Sequence, residues 1–351
     1  MRARTILALL LLALLLGACG TEAAAPAEEA STAPETPAES AIPDEEPDPV
    51  PVAEDALSLA ESQAMARFLN AGRALLEDGA LYCYDFDERW ESALAHYSWK
   101  EGALGDYKVL ARGCVPEYLC HAAGALYYID RLTGALERVP EKGGEREILR
   151  EGPCADLSLR EERLYLCDEA GRFLSLDLDG GDEQVLLQGP CAWAYPLEGA
   201  ILYRDLDDEG RLHLRDRESG EDWALTEGAA RAPLLLGGQL WYQDAEGLHS
   251  RDLAGGPVRD VQLPETEGDV ELLPLAEGLL LRGIRDGIGP EQWEGPPGGP
   301  YQQMARGYRV CDWLGDGYRI DTIYEPDRRI RCFLLIGEDG TEISFLAGHT
   351  L

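Results

Sequence analysis

The sequence predicts an all-β protein, a β-propeller of four-stranded antiparallel blades carried on an unstructured N-terminal stalk. Three observations point there. A short aromatic phrase recurs at a fixed spacing, each copy ends in an acidic turn closed by glycine, and the apolar runs between turns have the length of strands rather than helices.

The first 18 residues read as a targeting segment. "MRAR" supplies a basic start, "TILALLLLALLL" an apolar run, and Leu16-Gly17-Ala18-Cys19 a small-residue exit. The run is shorter than the ~20 residues a spanning helix needs. Cysteine directly after Leu-Gly-Ala resembles the bacterial lipobox, which implies that the Cys19 thiol carries a diacylglycerol. A lipid anchor on the extracytoplasmic face of a bacterial membrane is therefore expected, the alternative being an ordinary secretion signal with an incidental cysteine.

Removing residues 1–18 takes away Arg2 and Arg4 and leaves 29 basic against 66 acidic residues, a net charge of −37. Residues 20–56 hold 11 acids, seven prolines and no basic residue, so they cannot bury enough apolar surface to fold. With Cys19 they read as a disordered tether over 19–56, reaching roughly 30 Å or more as a flexible chain. A body this acidic repels nucleic acid and bare anionic membrane, which excludes both as direct partners and leaves cations or cation-rich surfaces.

The body is read as 57–351. "ALYYID" at 125–130 returns as "RLYLCD" at 163–168, "ILYRDL" at 201–206 and "QLWYQD" at 239–244, with leucines at 126, 164, 202 and 240, always 38 residues apart. The following position is Tyr127, Tyr165, Tyr203 and then Trp241. Acidic turns follow ("DRLTG", "DEAG", "DLDDEG", "DAEG"), then two further strands, while a short apolar stretch precedes each leucine. Four strands of five or six residues and four turns of about four residues account for a period of this size. Weaker copies at 79–87, 278–286 and 317–327 bring the number of units to seven. Seven blades are expected, or six if the degenerate "GLLLRG" unit forms no blade of its own.

The phrase "NAGRALLEDGALYCYDFD" and the recurrent "LYYID" with its glycine turn resemble the low-density-lipoprotein-receptor-like propeller repeats of bacterial surface lipoproteins, a domain of unknown function. The resemblance covers about residues 70–351. It implies the fold and no catalytic residues.

No chemistry-bearing motif stands out. GxSxG, HExxH, Walker and dinucleotide signatures are absent from the sequence. The five histidines fall in different units and read as solvated loop or strand residues. "DLDDEGRLHLRD" at 205–216 mimics an EF-hand loop, but its place in the period makes it a turn followed by a strand. No metal and no cofactor is expected. Eight cysteines follow Cys19, with no CxxC pair, so either free thiols or up to four disulfides are open. Cys154 and Cys167 lie on consecutive strands of one hairpin, about two residues off register, where only a diagonal bridge would fit.

In a propeller the turn after the second strand and the link into the next innermost strand emerge on one face. The first carries Asp168, Asp205 and Asp207, the second Tyr118, Trp193, Tyr195 and Trp313. Aromatics near a channel mouth and a ring of carboxylates suit a cationic or amino-sugar-containing surface polymer. The expectation is a monomeric recognition module rather than an enzyme. The alternative is a propeller carbohydrase or lyase working through a carboxylate pair.

Overall fold

The computed structural model describes residues 58–345 apart from 101–102, 254–255, 264–268, 276–277, 286–287, 297–298, 316–317, 325–329 and 338–341. The targeting segment, Cys19 and the tether lie outside the described residues.

Among the described residues one helix precedes the strands. In α1 (Leu59–Leu69) the N-cap Ser58 accepts a hydrogen bond from the Glu61 N–H at 3.2 Å, and Glu61 at the third position and Arg67 in the last turn suit the helix dipole. Its buried face presents Met65, Ala66 and Phe68. Ser62 donates through its hydroxyl to the Leu235 carbonyl and fastens the helix to the body.

Among the described residues twenty-seven strands follow, in six antiparallel sheets. The first sheet is β1 (Ala74–Glu77), β2 (Ala80–Phe86), β3 (Ser92–Lys100) and β4 (Ala103–Arg112). The second is β5 (Pro116–Ala122), β6 (Ala125–Asp130), β7 (Ala135–Pro140) and β8 (Glu147–Arg150). The third is β9 (Cys154–Arg160), β10 (Arg163–Asp168), β11 (Phe173–Asp177) and β12 (Gln184–Leu187). The fourth is β13 (Cys191–Pro196), β14 (Ala200–Asp205), β15 (Arg211–Asp216) and β16 (Asp222–Ala224). The fifth is β17 (Arg231–Leu236), β18 (Gln239–Gln243), β19 (Leu248–Asp252) and β20 (Arg259–Val261). The sixth runs through β21 (Asp269–Leu275), β22 (Gly278–Arg285), β23 (Ile288–Gly295), β24 (Gln302–Gly315), β25 (Tyr318–Tyr324), β26 (Ile330–Gly337) and β27 (Glu342–Phe345).

This is a six-bladed β-propeller built on four-stranded antiparallel sheets. The repeated phrase is the second strand each time: β6, β10, β14 and β18. The expectation of seven separate blades is corrected to six. The "GLLLRG" unit does form a strand, β22, but its sheet does not end before the last unit begins. β24 has 14 residues; its Gln302–Arg309 portion pairs with β23 and its Arg309–Gly315 portion with β25, so one uninterrupted strand joins two repeats into a seven-stranded sheet.

The first strands of successive sheets are neighbours (β1 with β5, β5 with β9, β9 with β13, β17 with β21), and β24 meets β1 to close the ring. At the closure Trp99 and Tyr318 meet edge to face at 5.0 Å, over a core that includes Leu76, Leu81, Tyr97, Ile320 and Leu335. α1 packs against β9, β17, β21 and β24, so it stands in the channel these strands enclose.

Glycine closes the acidic turns for a reason that reaches the next blade. Gly171 has φ 73°, and a Cβ there would lie 3.0 Å from the Cα of Pro190, just before β13; its own carbonyl accepts the Cys191 N–H at 2.8 Å. Gly134 does the same for Pro153 and Cys154. No helix among the described residues is long and apolar enough to cross a membrane.

Candidate functional site

The channel is the natural place to look, and the protein fills much of it with its own helix. Phe68 of α1 places its ring 4.9 Å from that of Tyr195 and 5.9 Å from that of Tyr118. Tyr195 is buried in the core that also takes in Met65, Leu202 and Leu235. Two of the aromatics expected to face a ligand are thus the walls against which α1 docks, and Tyr195 is withdrawn from the candidate site. Trp313 lies in β24, paired with Arg319, and its side chain is outside the described residues.

The expected carboxylate ring has a different task as well. Asp168 Oδ1 accepts the N–H groups of Ala170 and Arg172 at 3.0 Å each, and its Oδ2 holds the Arg172 guanidinium at 2.5 Å. Burial works against ionisation of Asp168, but the bonds from Arg172 outweigh it and hold the carboxyl below the usual range. Asp205 Oδ1 accepts from Asp207 N at 2.8 Å and Asp208 N at 3.3 Å, and Asp207 itself is exposed. Asp87 and Asp244 repeat the arrangement in the first and fifth sheets. These are turn-closing aspartates, favoured because a short carboxylate reaches the N–H two residues on. One oxygen of Asp168 and of Asp205 is engaged by backbone N–H groups and the second oxygen of Asp168 by Arg172, so these two aspartates are corrected from ligand-binding to turn-closing residues.

Cys154 and Cys167 are not brought together. Cys154 pairs with Asp168 and Cys167 with Ala155, so the two thiols sit one register step apart and on opposite faces of the sheet. They enter separate cores, Cys154 with Tyr127 and Leu164, Cys167 with Tyr165 and Tyr203. Neither cysteine is in a disulfide, and burial raises the pKa of each thiol.

Two of the strand histidines are bonded to carboxylates rather than solvated. His213 on β15 lies 3.1 Å from Asp222 on β16 and 2.8 Å from Asp208 in the preceding turn. His249 on β19 repeats this with Asp260 at 3.1 Å and Asp244 at 2.8 Å. Each imidazole ties a blade's turn to its outer strand. His121 is nearly buried beside carboxylates of two blades. The signal available for the first two was an aspartate five residues before each histidine, Asp208 before His213 and Asp244 before His249; for His121 one of the two carboxylates, Glu77, comes from another unit.

Two cavities flank α1. The smaller, about 210 Å3, lies against blades one to three and has Arg67, Phe68, Glu77, Tyr118, His121 and Ser158 in its wall. The larger, about 340 Å3, lies by the C-terminal end of α1, where Leu69 and Asn70 meet the fourth to sixth sheets. Trp193 lines it, half-buried, with Arg204 paired across from it in β14. Arg231, Gln243 and Glu271 supply the remaining polar groups, and Pro233, Val270 and Leu272 the apolar floor. Of the aromatics expected at the mouth, Trp193 keeps its candidacy. Arg204 and Arg231 escaped the sequence reading because nothing in their local pattern separates them from other strand arginines.

No known protein family matches the chain, and no curated protein matches it in sequence. Solved structures do resemble it in shape. A puromycin-hydrolyzing peptidase from Mycobacterium tuberculosis superposes with a TM-score of 0.57 at 14% identity, over 86% of this chain and 56% of that one. The chain therefore spans little more than half of that peptidase. A nidogen/laminin complex matches at a TM-score of 0.41 and 12% identity, over 76% of this chain and 92% of that one. BamB from Moraxella catarrhalis matches at 0.44 and 13%, over 79% and 94%. At such identities the likeness concerns the propeller fold, which serves binding modules and enzymes alike.

Proposed function

We propose that the chain is a recognition module, held by a lipid on Cys19 at the extracytoplasmic face of a bacterial membrane, that binds an anionic saccharide-like ligand in the cavity beside Trp193. The observation carrying this reading is that Trp193, Arg204 and Arg231 line one cavity of about 340 Å3, with Arg204 Nε donating to the Gly210 carbonyl at 3.1 Å. An indole face stacks on a sugar ring, and guanidinium forks match carboxylate or phosphate oxygens. In a chain of net charge −35, two arginines gathered in one cavity wall favour an anionic group over the cationic one that the acidic turns suggested.

Binding is preferred to hydrolysis because, among the described residues lining this cavity, Glu271 is the single carboxylate, whereas acid–base cleavage of a glycosidic bond needs two. The acidic tether suits the same role, standing the propeller off an anionic surface.

The test is calorimetric titration of the protein with uronate-bearing, phosphate-bearing and neutral oligosaccharides. Trp193→Ala and Arg231→Gln should each weaken binding of the anionic ligands by about tenfold or more, the cost of losing a stacked ring or a charged contact. Equal binding of neutral and anionic sugars, or unchanged binding by both variants, would remove this cavity from consideration. Cys19→Ala should release the chain from the membrane fraction into the medium; retention there would defeat the anchor.

A further inference from the structure

A second site is visible on the other side of α1, independent of the Trp193 cavity. Glu77 ends β1, Asp78 opens the turn into β2, and His121 lies on β5 of the next blade. Their ligand atoms all fall within 4.8 Å of one another. The His121 side chain is only 8% exposed, and the Tyr82 ring stacks on it at 5.6 Å.

The imidazole is oriented by a further carboxylate. Its Nε2 lies 3.1 Å from Glu141 Oε2, a hydrogen bond that places the ring proton on Nε2. With the ring held in this orientation, Nδ1 faces Glu77 Oε2 at 3.8 Å. That distance is too long for a hydrogen bond. It is close to the ~3.4 Å separating two ligands of one ion with metal–ligand bonds of ~2.1 Å. Burial and the charges of Glu141, Glu77 and Asp78 hold the Tyr82 phenol above its usual range, a sign of the negative field gathered there.

A second observation points the same way. Glu77 and His121 line the cavity of about 210 Å3, and so does Ser158, which is 7% exposed and whose Oγ has no hydrogen-bond partner. A buried hydroxyl left unsatisfied costs about 1–3 kcal/mol. It is the kind of group that a ligand entering the cavity would satisfy.

We propose that Glu77, Asp78 and His121 bind a divalent transition-metal ion, with Glu141 as the positioning residue that fixes the His121 tautomer. One imidazole and two carboxylates favour ions such as Zn2+ or Mn2+ over Ca2+, which takes oxygen ligands throughout. Three protein ligands leave a coordination position for water or for an anionic group of a ligand in the cavity.

The full-length chain, stripped with chelator, is titrated with Zn2+ by calorimetry at physiological salt. One equivalent should bind. His121→Gln should weaken binding by about tenfold or more, and Glu141→Gln by roughly 10–100-fold. Asp78 is exposed with φ 52°, a conformation asparagine accepts, so Asp78→Asn keeps the turn and should still weaken binding about tenfold. Should His121→Gln fail to fold, Asp78→Asn decides alone. No stoichiometric binding by the parent overturns the proposal. So does unchanged affinity in Asp78→Asn, which would mark the bound metal as scattered over the acidic surface.

Discussion

Tyr118 donates its hydroxyl to Asp156 Oδ1 at 3.2 Å, and the two residues occupy the same position in neighbouring blades. They are 38 residues apart in sequence, both have positive φ (57° and 59°), and both sit at a bulge of an innermost strand. Ala232, with φ 48°, holds that position two blades further on. The period legible in strands and turns thus extends to the strained backbone at the channel, where one blade's bulge is hydrogen-bonded to the next.

If α1 is part of the propeller's core, removing its main anchor should loosen the whole body. Phe68 is 6% exposed and touches two innermost strands through Tyr118 and Tyr195. Phe68→Ala should cost about 3–5 kcal/mol in chemical denaturation, the range for emptying a buried phenylalanine site. A loss below about 1 kcal/mol would show that the helix rides on the channel without supporting it.

The turn glycines divide into two kinds. At Gly171 a side chain meets both an unfavourable φ and the Pro190 backbone, whereas at Gly199 (φ 69°) nothing lies within 4 Å. Both alanine variants carry the left-handed backbone cost of about 1–2 kcal/mol. Gly171→Ala should lose measurably more in the same denaturation assay, and equal losses would mean that the contact with the next blade gives way freely.

How far the sequence speaks depends on how local the determining contacts are. The 38-residue period, the second strands beginning near Leu126, Leu164, Leu202 and Leu240, and the glycine-closed turns are set by neighbours within one hairpin, and all were legible. The start of α1 was also written locally: Ser58 and Glu61 have the spacing of a capping box, just before apolar positions at 65, 66 and 68–69. Where the helix goes was not, since Phe68 meets residues about 50 and 127 positions away. The acidic turns misled for the opposite reason. Asp168 and Asp205 resemble a ligand-binding ring only until their bonds to the next backbone N–H groups are seen. The fusion of the last two units in β24 depends on pairing both halves of one strand with different partners, which no local pattern marks.

His213 should give the protein a pH-dependent margin of stability near neutrality. Hydrogen bonds to Asp222 and Asp208 raise its pKa despite burial, and the same Asp222 accepts from the Tyr203 hydroxyl at 2.6 Å and lies 3.6 Å from Arg215. A histidine whose folded pKa exceeds its unfolded value contributes its full stabilisation below the unfolded pKa of ~6.5 and loses it as pH rises through the folded pKa. The parent should therefore lose stability above neutral pH relative to His213→Gln, by about 1–3 kcal/mol at most, the range for hydrogen bonds to charged groups. Parallel stability curves for the two proteins between pH 6 and about pH 9 would contradict this.

Asp156 makes the opposite kind of residue, one the fold tolerates at a cost. It is 9% exposed, and burial pushes its carboxyl up to about 6, even though bonds from Tyr118 and Cys167 favour the charged form. The raised folded pKa means that stability linked to its protonation is fully present below the unfolded value near 3.8 and is lost as pH rises through about 6. At pH 7 the ionised carboxylate is thus a liability of on the order of 2–3 kcal/mol. Asparagine keeps an oxygen for the Tyr118 hydroxyl, accepts the φ of 59°, and carries no charge. Asp156→Asn should consequently be more stable than the parent at pH 7 by up to that amount, with the gain shrinking towards zero near pH 4. Denaturant midpoints measured across that range check both the sign and the slope. A variant less stable than the parent at pH 7 would mean that the charged Asp156–Tyr118 contact holds neighbouring blades together more strongly than burial opposes it.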